Sequence, residues 1–110
     1  MTQNKSFCDN VVAIVKQIPK GRVTSYGAIA AALGMPRSAR MVGYILNNGL
    51  FKGGEFIPAH RIVNRNGYLT GKHAFPGEQM MQELLENEGV IISDNRVVEF
   101  KKLFWNPASL

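Results

Sequence analysis

The sequence predicts a mainly α-helical domain, built on three short helices with a small β-hairpin beside them. Three observations predict it. Apolar residues return at helical spacing in separate stretches, Pro and Gly stand between those stretches, and Asn64-Arg65-Asn66-Gly67 joins two β-prone runs. With 110 residues and 45% apolar composition, the chain has material for one domain, 1–110, around one core.

Taken in order, Phe7, Val11, Ile14, Val15 and Ile18 mark one face of a first helix, with Asn4 or Ser6 as its cap, and Pro19 to Gly21 stops it. A short alanine-rich helix follows, capped by Thr24 or Ser25 and ended by Gly34. Met35-Pro36 makes a tight turn, because proline disfavours helical geometry in the residue before it. The next helix is expected from about Arg37 to Asn47. It turns Ala39, Val42, Gly43 and Leu46 inward and Arg37, Arg40, Tyr44 and Asn47 outward. Two short helices around such a turn make a helix-turn-helix. After a Gly-rich loop, Phe56 to Val63 and Tyr68-Leu69-Thr70 read as the two sides of a hairpin, which would serve as a wing. A further helix is expected over 76–88, with Met80, Met81, Leu84 and Leu85 inward and Gly89 at its end. Arg96 to Phe100 reads as a short edge strand, and Phe104 and Trp105 as a tail packed back on the core.

Charge narrows the function. Residues 16–72 carry nine Lys or Arg against Glu55 alone, whereas 73–95 carry five acids and no Lys or Arg. A segregated positive field fits a polyanion partner, and the outward face of the 37–47 helix offers cations and hydrogen-bonding groups to a nucleic-acid groove. A solvated polar surface is the plain alternative. No stretch approaches the about 20 apolar residues of a membrane span. Met1 to Ser6 is polar, and the single Cys8 makes no internal disulfide. No Cys/His cluster has zinc spacing. A soluble cytoplasmic protein without metal or cofactor is expected.

Four motifs stand in order: Ile18-Pro19-x-Gly21-x-Val23-x-Ser25-Tyr26-Gly27-x-Ile29-Ala30, Ala39-Arg40-x-Val42-Gly43, Pro58-x-His60-Arg61-Ile62-Val63 and Leu84-Leu85-x-x-Glu88-Gly89. Together, over roughly residues 7 to 92, they resemble the catalytic domain of O6-alkylguanine-DNA alkyltransferases. In that family the third motif reads Pro-Cys-His-Arg, and the cysteine accepts the alkyl group. Here Ala59 holds that position, and a methyl side chain is no nucleophile. This feature is similar to the alkyltransferase-like members, which carry Trp or Ala there. Cys8, among apolar neighbours of the first helix, is read as structural.

The resemblance implies a winged helix-turn-helix-like DNA-binding domain that lies in the minor groove and turns a nucleotide out of the stack. It implies that Arg40 fills the vacated space and that Tyr26 presses on the adjoining phosphate. Arg37, Ser38 and Ala39 would approach groove and backbone. Pro58, Ala59, Leu69 and Thr70 to Lys72 would form a lesion pocket, roomy enough with Ala59 for groups larger than methyl. Lys72 lies near the position of a pocket arginine in some relatives, a solvated lysine being the alternative. His60 and Glu88 match the pair that activates the thiol through water, and would persist as architecture, with Arg61 bracing the loop. Asn48 lies near a family asparagine that buttresses the turn. For Arg40 the alternative is a salt bridge to the 76–88 helix, and for Tyr26 an aromatic packed on the core.

The function so implied is a non-enzymatic, monomeric sensor of O6-alkylguanine in double-stranded DNA. It would pass lesions to nucleotide excision repair through a UvrA-type partner, the acidic 76–88 helix being a candidate docking surface. Two other functions stay open: a winged-helix regulator that reads sequence, though no dimerisation element is evident, and a dealkylating enzyme using a His60-activated water or Cys8.

Overall fold

The computed structural model describes residues 6–47, 51–52 and 55–109. Helix α1 (Phe7–Val15) starts at Ser6, whose side chain accepts from Asp9 N, and buries Val11, Ile14 and Val15. Strand β1 (Thr24–Ser25) leads into α2 (Tyr26–Ala32), which Ser25 caps by accepting from Ala28 N at 3.1 Å. At the far end of α2, Met35 N donates to Ala30 O and Gly34 N to Ala31 O, the paired bonds that close a helix on a glycine. Helix α3 (Ala39–Ile45) packs against α2 and α1. It begins two residues later than periodicity suggests, because Pro36 and Arg37 belong to the turn, where Ser38 N donates to Met35 O.

A short antiparallel pair, β2 (Phe51–Lys52) and β3 (Glu55–Phe56), follows; the predicted role of Asn48 lies outside the described residues. Next come a 3-10 turn at Ala59–Arg61 and strand β4 (Ile62–Val63). Here the structure corrects the predicted hairpin. The turn after β4 is present, with Asn64 Oδ1 accepting from the N–H groups of Asn66 and Tyr68, both at 2.9 Å. Yet β4 pairs in parallel with β1, Thr24 with Ile62 and Ser25 with Val63. Ile62 and Val63 are fully buried, so their backbone groups need a partner inside the core, and β1 supplies it. The returning chain meets the end of β4 where Asn64 N donates to Tyr68 O at 3.0 Å, and otherwise pairs elsewhere: Tyr68 bridges Arg96, and Leu69 N donates to Asn95 O. Tyr68 thus edges a separate hairpin of β5 (Ile92–Ser93) and β6 (Arg96–Val97), one of three two-stranded sheets among the described residues. The expected edge strand 96–100 ends at Val97, and Phe100 opens α5 (Phe100–Leu103).

Between these, residues Thr70–Ala74 form a second 3-10 turn, and α4 (Met80–Asn87) starts four residues later than predicted, beyond the turn at Gly77. Met81 and Leu85 are fully buried and Met80 and Leu84 partly so. Gly89, at φ +92°, ends α4; Val90 N donates to Leu85 O and Gly89 N to Glu86 O. That ending fixes Glu88 on the last turn. The tail packs as expected: Trp105 N donates to Val23 O at 2.7 Å, and Arg22 donates to the Leu103 and Phe104 carbonyls at 2.9 and 2.7 Å. Among the described residues, no helix is long and apolar enough to cross a membrane.

Candidate nucleic-acid interface

Helix α3 presents the face that the sequence assigns to a groove. Arg37 stands exposed in the turn before it, and Arg40, Met41, Tyr44 and Asn47 are exposed along it, whereas Val42 and Leu46 enter the core. Among the described residues Arg40 has no ion pair, so the alternative of a bridge to α4 is not realised. Ser38 occupies the N-cap of α3 without using its hydroxyl for capping. Ala39, half-buried, lets α3 sit close to the core.

Tyr26, the first residue of α2, points across to the second 3-10 turn. Its ring packs against the core, and its hydroxyl reaches the turn at Thr70 and Gly71. Burial raises its pKa above 10.0, so the phenol stays protonated. A Cβ at residue 71 would collide with this hydroxyl, which is why glycine stands there. Between Tyr26, α3 and this turn lies a cavity of about 110 Å³, with Ala59, Leu46, Asn47, Thr70 and His73 in its wall. Of the predicted pocket residues, Ala59, Thr70 and Gly71 line it. Pro58 is buried behind it, Leu69 belongs to the core at 1% exposure, and Lys72 is not in the wall, where its neighbour His73 stands instead. Tyr26, Asn47 and His73 were not foreseen as lining residues. A 3-10 turn offsets side chains by a third of a turn per residue, unlike the strand expected at 68–70, so the sequence carried no signal for this exchange.

Behind the cavity the Pro58 turn is held by a buried charge cluster. Glu88, from the end of α4, accepts from His60 Nε2 at 2.8 Å, Arg61 Nη2 at 2.7 Å, Arg61 Nε at 3.0 Å and Gly21 N at 3.1 Å. Arg61 also donates to Ile18 O at 2.8 Å. Burial disfavours the charged carboxyl, but the bonds from Arg61, His60 and Gly21 outweigh it and hold Glu88 at about 2. Facing an ionised carboxylate, His60 Nε2 carries the proton and donates. Nδ1 is then the bare nitrogen, and it is buried without a partner among the described residues. Burial resists a cation there more than Glu88 favours one, so the His60 pKa is lowered. Cys8 sits half-buried on α1 and is not in the cavity wall.

The profile of the family described as 6-O-methylguanine DNA methyltransferase, DNA binding domain, matches residues 6–90. The chain is 39% identical over 108 residues to the DNA base-flipping protein of Escherichia coli (strain K12), covering 96% of this chain and 79% of that protein. It is 34% identical over 105 residues to Alkyltransferase-like protein 1 of Schizosaccharomyces pombe, covering 92% and 95%. Among solved structures it is similar to S. pombe Atl1 in complex with damaged DNA containing O6-carboxymethylguanine. There the TM-score is 0.78 at 32% identity, covering 90% of this chain and 94% of that one.

Proposed function

The chain belongs to the alkyltransferase-like family, with the fold of the 6-O-methylguanine DNA methyltransferase DNA-binding domain, and from that premise we propose that it senses O6-alkylguanine in duplex DNA without removing the alkyl group. The observation that carries this reading is Ala59. It stands in the cavity wall, next to an intact His60–Glu88–Arg61 cluster, and none of the residues lining the cavity carries a thiol. Support for the turn is kept while the nucleophile is absent from it. Alkyl transfer from an O6 ether needs a polarisable thiolate, and neither methyl nor hydroxyl side chains supply one.

The steps follow from the positions. The exposed face of α3 enters the minor groove, with Arg37 and the Ser38 hydroxyl against the backbone. Arg40, exposed and unpaired, takes the space of the departing nucleotide. Its planar cation suits both stacking and hydrogen bonding to the orphaned base. Extruding a base costs a few kcal/mol, least for an alkylated base that pairs poorly, so selection begins before the pocket is reached. At about 110 Å³ the cavity is smaller than the about 300–1,000 Å³ of ordinary ligand sites, so entry of the base displaces the 70–74 turn from Tyr26. Tyr26 then bears on the phosphate, and Ala59 leaves room for the O6 substituent. Because the lesion stays in the DNA, removal falls to nucleotide excision repair, reached through a UvrA-type partner inside the cell.

One experiment tests the reading. Duplexes with guanine or O6-methylguanine are titrated with the protein, then recovered, and both molecules are weighed. Tight, lesion-selective binding with unchanged masses is expected. Loss of methyl from the DNA, or its gain by the protein, would make the chain an enzyme. Equal affinity for both duplexes would make it a reader of something other than the lesion.

A further inference from the structure

Away from α3, a second set of cations gathers around α5. A groove of about 440 Å³ is walled by Arg65, Arg96, Lys101 and Lys102, with Phe100 in its surface and Glu99 as its single carboxylate. Arg65, Phe100 and Lys101 continue into a neighbouring cleft of about 340 Å³ that reaches Ser25. Ser25 caps α2 and is one residue from Tyr26, which lines the cavity at Ala59.

Two of the four cations are not spent on other partners among the described residues. Among the described residues, Arg65 and Lys101 are exposed and make neither an ion pair nor a hydrogen bond, and Lys102 reaches Glu99 only at 3.8 Å. Arg96 is held in place: its Nε donates to Asn66 O at 2.9 Å, and its guanidinium lies 5.6 Å from the centre of the Tyr68 ring. A row of four cations, two of them unpaired among the described residues, beside one apolar ring fits a chain that alternates phosphate and sugar better than it fits a compact anion.

We infer that this groove is a second phosphate track, binding the duplex backbone beyond the segment that α3 engages. The inference rests on the duplex-binding reading above. A backbone track carries no lesion information, so it should govern affinity for any duplex and leave discrimination to the cavity.

The test is the salt dependence of binding to guanine and O6-methylguanine duplexes, for the parent chain, the Arg65→Ala/Lys101→Ala variant and Glu99→Gln. Arg65 and Lys101 are exposed and unpaired, so the double variant folds as the parent does. It should bind both duplexes about tenfold more weakly, with a log–log salt slope shallower by about 2, one for each phosphate no longer neutralised. Glu99→Gln should tighten both by roughly two- to threefold, since it removes the opposing charge. An unchanged slope in the double variant overturns the inference and opens the groove to an acidic protein surface instead. A weakening confined to the lesion duplex overturns it too. If the parent itself shows no preference for the lesion, the sensor reading fails, while the slope on plain duplex still decides this one.

Discussion

Replacing Glu88 by glutamine removes the charge from the cluster while keeping its shape. The carboxylate, 9% exposed, accepts from four donors: His60 Nε2, Arg61 Nε, Arg61 Nη2 and Gly21 N. Glutamine has one acceptor oxygen, and its amide nitrogen would face donors. The Arg61 charge would also lose its counter-ion at 15% exposure. Lowering the carboxyl from 4.5 to about 2 corresponds to roughly 3 kcal/mol in favour of the charged form. Breaking a buried pair by removing one partner costs about 3–5 kcal/mol in general. Both routes point to a loss of about 3 kcal/mol, or roughly 10 to 20 °C in Tm for a domain of this size.

The pH dependence gives this prediction a second handle. A carboxyl whose pKa is lowered by folding contributes its full stability above the ordinary carboxylate range. That stability is lost as pH falls from 4.5 through about 2. Urea unfolding of the parent chain and Glu88→Gln at pH 7, and then in steps down to about pH 2.5, would display both effects. The two stability curves should lie about 3 kcal/mol apart at neutral pH and converge in acid. A difference under about 1 kcal/mol at pH 7, or an equally steep acid limb in the variant, would refute the view that this cluster holds the Pro58 turn to α4.

Three further outcomes are expected. Arg40→Ala should weaken binding to an O6-methylguanine duplex by about 1–3 kcal/mol without lowering Tm, since the side chain is exposed and unpaired; fluorescence anisotropy and a thermal melt check the two halves. Gly71→Ala places a methyl group against the Tyr26 hydroxyl, so it should separate Tyr26 from Thr70; the expected sign is a cost to stability of about 1–3 kcal/mol, read by denaturation. Ala59→Leu fills much of a cavity of about 110 Å³, and should discriminate against ethyl and larger O6 adducts relative to methyl by about tenfold or more, read by competition binding.

Much of this protein follows from residue order alone. Ser25 before Tyr26-Gly27-Ala28, Gly34 before Met35-Pro36, and Leu85-x-x-Glu88-Gly89 set the helix ends, because capping bonds and a glycine ending act within a few residues. The division of α3 into a buried Val42–Leu46 side and an exposed Arg40–Tyr44 side follows from helical period. The alanine at 59 is likewise a fact of sequence. What tertiary structure decided is pairing between distant segments. Ile62 and Val63 could close a hairpin with Tyr68 and Leu69, but burial on both faces sends them to β1, 38 residues earlier in the Thr24–Ile62 register. That choice leaves Thr70–Ala74 free to coil as a 3-10 turn, turning His73 rather than Lys72 to the cavity and bringing Thr70 to Tyr26. It also sets Arg65 beside α5, joining cations that lie more than thirty residues apart in the chain. Local signals end where the chain must bury backbone groups against a remote partner, and there the competition among partners is settled only in three dimensions.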